Sequence, residues 1–92
     1  MSRKLKLTIE PISGTHNYFV VKVSNQIVLH GEAKKMEYEA NLPDSPTIIY
    51  ASSLGVGTGA KYKLTIDLPG TTEDHSNTYL LKKGYHEITY TI

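Results

Sequence analysis

The sequence predicts an all-β chain: a single small β-sandwich, Ig-like or Greek-key, of about seven or eight antiparallel strands. Three observations carry that expectation. Oily and wet side chains alternate with a period of two in segment after segment. Turn residues interrupt these runs at intervals of roughly 8 to 12 residues. No stretch holds the three-to-four-residue apolar spacing of a helix packed on a core.

The elements follow in order. Leu5, Leu7 and Ile9 alternate with Lys4, Lys6, Thr8 and Glu10, which is a strand with one solvated face, and Pro11 is expected to close it. After a turn at Ser13-Gly14-Thr15, NYFVVKV places Phe19, Val21 and Val23 on one face. Ser24-Asn25-Gln26 reads as a tight turn into IVLHGEA, giving a hairpin over 18–33, with Gly31 as a candidate bulge. KKMEYEANLP suits a short helix on propensity, yet Met36, Tyr38, Ala40 and Leu42 alternate with charged and polar neighbours, so a strand is expected. Pro43-Asp44-Ser45-Pro46 is a turn, and TIIYA is a short β-branched strand more buried than the others.

SSLGVGTGAKYK (52–63) raises the question of a phosphate cradle, with Gly55, Gly57 and Gly59 at every second position. Such a cradle needs a helix after the glycines, or Gly-Lys-Ser/Thr at the end of the loop, to offer backbone amides to an anion. Here Ala60-Lys61 and a strand follow, so a connecting loop at one end of the domain is expected. Tyr62, Leu64, Ile66 and Leu68 then alternate with Lys61, Lys63, Thr65 and Asp67; PGTTEDHSN (69–77) is a polar loop; TYLLK, a Lys83-Gly84 turn and YHEITYTI complete the chain as given.

Size and charge bound the function. Ninety-two residues make one domain with one core, and 39% hydrophobic with 21% charged residues is an ordinary globular composition. A net charge of +1 with interleaved signs gives no electrostatic footprint for nucleic acid. No run approaches the length of a membrane span. The opening MSRKLKLTIEP lacks the apolar core of a signal peptide, so a cytoplasmic location is the default expectation, although a domain excised from a secreted protein would read the same.

The absence of cysteine removes disulfides, thiolate catalysis and cysteine-based metal sites. His16, His30, His75 and His86 do not fall at paired metal-ligand spacings, so no metal and no cofactor is expected. No serine sits in a strand-to-helix elbow, and the acids are scattered on wet faces beside lysines. Glu10 and Asp67 would form a carboxylate pair only if their strands adjoin. A non-catalytic domain is therefore expected.

KLKLTIE (4–10) and KYKLTID (61–67) are identical at five of seven positions, and Gly-Thr, His, Asn and Tyr follow both. Convergent strand chemistry and an internal duplication both account for this. Duplication would place loops 11–17 and 69–77 in equivalent positions.

The candidate binding residues are Glu73, Asp74, His75 and Asn77 in the polar loop, with Tyr18 and Tyr85, which fall on the wet faces of their strands. Carboxylates and amides suit sugar hydroxyls, and an aromatic ring with a polar tip stacks on a sugar or anchors a protein partner. The calcium patterns of EF-hand and Greek-key domains are absent. LKKGYHEITY (81–90) resembles the Leu-x-x-Gly-x-His-x-Ile-x-Tyr closing hairpin of PA14-like and carbohydrate-binding β-sandwich modules, and GAKYKLTID resembles the strand ahead of it. The resemblance covers about the last 32 residues (61–92) and implies a sandwich that binds glycans; it assigns no individual residue a role. The expected function is an interaction or assembly module that binds a protein partner or itself, since open edges in a small sheet recruit strands. A lectin-like module using loop 69–77 and the exposed tyrosines is the alternative.

Overall fold

The computed structural model describes residues 3–32, 34–43, 45–68 and 75–92. They form six strands and no helix: β1 (Arg3–Val23), β2 (Gln26–Gly31), β3 (Met36–Leu42), β4 (Ile48–Asp67), β5 (His75–Leu80) and β6 (Tyr85–Thr91). All pairs are antiparallel and belong to one hydrogen-bonded sheet. The all-β class expected from the two-residue alternation is what the chain adopts, including 36–42, where alternation prevails over helix propensity.

Two strands are far longer than the sequence suggests. Pro11 does not close β1, and the turn expected at 13–15 lies inside it. The glycine stretch is likewise not a loop but the middle of β4, with Gly55 paired to His16 and Val56 to Thr15. β1 and β4 pair along nearly their whole lengths, with register shifts between Pro11 and Ser13, Ser13 and Thr15, and His16 and Tyr18. These irregularities form a crease. Gly14 lies there at φ 76°, and a Cβ on it would fall 2.6 Å from Ala60 Cα, so only glycine permits the backbones to approach so closely.

The crease divides the sheet into two four-stranded halves. In one, β3, residues 3–9 of β1, residues 61–67 of β4, and β5 lie side by side. In the other, the order is β2, residues 18–23 of β1, residues 48–54 of β4, and β6. The two long strands thus supply two segments each, giving eight strand segments joined as one sheet rather than two separate ones.

Rings from the two halves meet. Phe19 lies 5.8 Å from Tyr62, Tyr79 is 4.9 Å from His86, and His75 is 5.1 Å from Tyr90, centroid to centroid. The sheet is therefore folded over at the crease, with the core between its halves. Leu5, Leu7, Ile9, Tyr62, Leu64 and Ile66 line one side; Phe19, Val21, Ile49 and Ala51 line the other. All were legible as inward positions of alternating strands except Ile49 and Ala51, whose strand has no marked alternation. Burying a leucine- or isoleucine-sized side chain contributes about 1.5–3 kcal/mol, so these rows outweigh any surface pairing.

The similarity of 4–10 to 61–67 has a register explanation. The two segments are neighbours, with Thr8 opposite Thr65, Lys6 opposite Asp67 and Glu10 opposite Lys63. A Lys-x-Thr-x-acid strand is self-complementary when it pairs antiparallel with a copy of itself. The elements that follow are not equivalent: residues 11–17 continue β1 into the other half, whereas β5 returns alongside the segment it follows. Connectivity instead relates β1–β2–β3 to β4–β5–β6. In each set the long strand pairs by its second half with the next strand and by its first half with the one after.

Both expected tight turns are present. Ser24 (φ 51°) and Asn25 (φ 67°) link β1 to β2, and Lys83 (φ 54°) and Gly84 (φ 81°) precede β6, the left-handed pairs that match the strand twist. The bulge expected at Gly31 lies instead at Val28, since Val21 pairs with Leu29 and Lys22 with Ile27.

Candidate functional site

The outer face of the half built from β2, β1, β4 and β6 carries the candidate site. Residues directly opposite in antiparallel strands share a face. Tyr18 is opposite Leu54, and Leu54 is opposite Tyr85, so the three form one row across three strands beside the crease. They are 40%, 48% and 45% exposed, a large apolar and aromatic area for so small a chain. The next row holds His30, Val20, Ser52 and Glu87, and the third holds Lys22, Tyr50 and Thr89.

Hydrogen bonds hold this surface in place. The Tyr50 hydroxyl donates to Glu87 Oε2 at 2.7 Å and the Tyr85 hydroxyl donates to the same oxygen at 2.9 Å, while the two phenol oxygens are 3.2 Å apart. These donors, Tyr50 first, hold the Glu87 carboxyl below the usual carboxylate range. The Tyr85 phenol is pushed well up, by its bond to Tyr50 first and then by that to Glu87, so it stays protonated and able to donate. Lys22 Nζ sits 5.5 Å from the centre of the Tyr50 ring. Tyr18 and His30 approach at 3.5 Å between the hydroxyl and Nδ1. Ser52, small and almost covered, lies between the larger Val20, Tyr50, Leu54 and Glu87.

The structure brings together two of the residues expected to bind, Tyr18 and Tyr85, and places His75 and Asn77 elsewhere. His75 and Asn77 lie on β5 in the opposite half, on the inward side of that strand. His75 stacks on Tyr90, and Asn77 Nδ2 donates to the Tyr90 hydroxyl at 3.0 Å. They belong to an aromatic group along the open side of the fold, where Tyr79 bonds to Tyr90 and stacks on His86, and the Tyr62 hydroxyl lies 2.7 Å from His86 Nδ1. Burial lowers the His86 pKa, with Lys82 adding to the effect and Glu87 opposing it. The neutral ring, with its proton on Nε2, accepts a hydrogen bond from the Tyr62 hydroxyl at Nδ1. Burial also pushes the Tyr62 and Tyr79 phenols up. Glu73 and Asp74 lie outside the described residues.

Sequence reasoning missed Tyr50, Leu54 and Glu87 as surface partners. No alternation marked Tyr50 or Leu54, because residues 48–54 carry apolar side chains on both faces and Ser52 and Leu54 fell in what read as a loop.

Other places offer less. Glu10 and Asp67 do lie on adjoining strands, but each faces a lysine rather than the other acid. Among the described residues no group of three or more histidine, aspartate and glutamate side chains is placed to hold a metal ion. A hollow of about 320 Å³ on the other half is lined by Lys4, Leu5, Lys6, Glu39, Ala40 and Asn41. Its Lys6–Glu39 pair, at 3.9 Å and 45% and 70% exposed, is a solvated surface contact. Among the described residues, no helix is long and apolar enough to cross a membrane.

No protein-family model, curated protein or solved structure matches this chain.

Proposed function

We propose that this chain is a non-catalytic interaction module that binds a protein partner through the face built on Tyr18, Leu54 and Tyr85. The exposed row carries the reading. Tyrosines anchor protein interfaces because they bury large area with few rotatable bonds, and here Tyr50 and Tyr85 are already held by Glu87, so little side-chain freedom is lost on docking. Lys22, His30 and Glu87 supply a polar margin around an apolar middle, the usual anatomy of such a surface.

Site-specific photocrosslinking in the cells that express the protein tests this. A photoreactive residue at Tyr18, Leu54 or Tyr85 is expected to capture one common protein, and the same probe at Thr8 or Lys61 is not. Capture that does not depend on position would refute the proposed face.

A second reading, glycan binding, is favoured by the pairing of exposed phenol rings with a carboxylate and by the resemblance of 81–90 to the closing hairpin of carbohydrate-binding modules. Stacking on Tyr18 and Tyr85 with hydroxyl contacts to Glu87 would hold a sugar. A broad glycan array without a hit removes this reading.

A further inference from the structure

We propose that the free edge of β6 pairs antiparallel with β6 of a second copy of this chain, across a twofold axis at Thr89. This takes up the self-association expected from the sequence, and it uses a different surface from the tyrosine face proposed above.

Backbone geometry identifies the free groups. Ile92 and Thr47 exchange both hydrogen bonds, N to O at 2.7 and 2.8 Å, so the Ile92 backbone points toward β4. Alternation along an antiparallel strand then turns Thr91, Thr89 and Glu87 the other way. Tyr85, next in that series, exchanges its bonds with Lys82 at 3.1 and 3.2 Å, which confirms the parity. Among the described residues β6 pairs with β4 and with no strand on its other side. Glu87, Thr89 and Thr91 therefore present a row of donors and acceptors at an open edge.

That edge lacks the usual guards against strand addition, which are lysines, proline, bulges and opposed charges. β6 has no proline, lysine or left-handed residue along its seven positions, and Glu87 is its one charged side chain. A dyad at Thr89 sets Thr89 opposite its own copy and Glu87 opposite Thr91 of the partner subunit, so no like charges meet and all three outward residues are paired. The other side of the fold differs. On β3, a dyad at the middle residue, Glu39, would oppose that carboxylate to its own copy, with Glu37 close by. β2 carries the Val28 bulge and ends at Gly31 with φ 127°. The paired copies would form one continuous outer face carrying two Tyr18–Leu54–Tyr85 rows, which gives a partner two equivalent sites.

Cysteine cross-linking on the full chain tests the register, since the chain has no cysteine of its own. Facing residues in a hydrogen-bonded antiparallel pair sit with Cα atoms about 5.5 Å apart, inside the range of about 4.4–6.8 Å that a disulfide spans. Thr89→Cys is expected to give a reducible dimer under mild oxidation, and Thr78→Cys, on β5, is not. Thr89→Pro removes an outward N–H without touching the β4 ladder and is expected to weaken dimerisation by about tenfold or more. Concentration-dependent protection of the Glu87, Thr89 and Thr91 amides from hydrogen exchange supports the same edge. Cross-linking through Thr78→Cys alone, or a monomer at millimolar concentration, overturns the proposal. A dimer dissolved by Leu54→Glu but not by Thr89→Pro also overturns it, while leaving the tyrosine face as an interaction surface.

Discussion

Thr8 lies directly opposite Thr65 in the β1–β4 pair, and about that point Lys6 faces Asp67 and Glu10 faces Lys63. Two similar segments are thus in register with one another. Cross-strand opposite charges contribute about 0.2–1 kcal/mol each, and like charges reverse the sign. Glu10→Lys is expected to destabilise the fold by about that amount, and Lys63→Glu added to it to restore most of the loss. Urea unfolding of the four proteins of this cycle measures the coupling, which should shrink in high salt.

Glycine at position 14 is required by contact as well as by φ. A Cβ there would meet Ala60 Cα at 2.6 Å and Ala60 Cβ at 2.8 Å, and Ala60 is buried. Gly59, at φ 90°, has open space where its Cβ would go. Gly14→Ala is expected to cost more than about 2 kcal/mol and Gly59→Ala about 1 kcal/mol. Thermal unfolding midpoints of the two variants give the order, and equal losses would contradict the close approach.

Tyr62 is fully buried, packs on Phe19 and Tyr79, and reaches His86 with its hydroxyl. Tyr62→Phe keeps the packing and removes the bond, which is expected to cost about 1 kcal/mol. Tyr62→Ala leaves a cavity between the halves and is expected to cost about 3–5 kcal/mol. Denaturant unfolding separates the two contributions.

Acid should weaken the fold through His86. Its folded pKa lies below the ordinary 6.5 because burial disfavours the charged ring, so the unfolded chain binds the proton more readily. The stability due to the neutral ring is fully present above pH 6.5 and is lost as pH falls through 6.5 toward the lowered value. Glu87 acts in the same direction at lower pH, since its carboxyl is held down by Tyr50 and Tyr85. The unfolding midpoint is expected to fall from pH 7.5 to 5.5, and His86→Gln to flatten that slope. An unchanged slope in the variant would place the pH dependence elsewhere.

Several features were legible because they depend on neighbours in sequence. Leu5, Leu7 and Ile9, and likewise Tyr62, Leu64 and Ile66, alternate with polar residues, and in an extended chain alternation alone decides which side chains share a face. Ser24-Asn25 and Lys83-Gly84 marked their turns by composition. Tyr18 and Tyr85 read as outward for the same reason. The continuity of β1 and β4 was not legible, because Pro11, Gly14 and the glycines of 55–59 carry the local signs of turns. They remain in strands because each long strand is paired to the other through the crease, where register shifts absorb the irregular residues.

By itself, then, the sequence determined an extended, antiparallel-compatible chain with one oily face per strand and no helical end to grip an anion. Only the tertiary structure decided that Tyr18 and Tyr85 flank Leu54, that His75 and Asn77 turn inward to Tyr90, and that β6 has an open edge among the described residues. The physical reason is that a side chain's face is set by its adjacent residues, whereas its cross-strand neighbours are set by pairing between segments far apart in the chain.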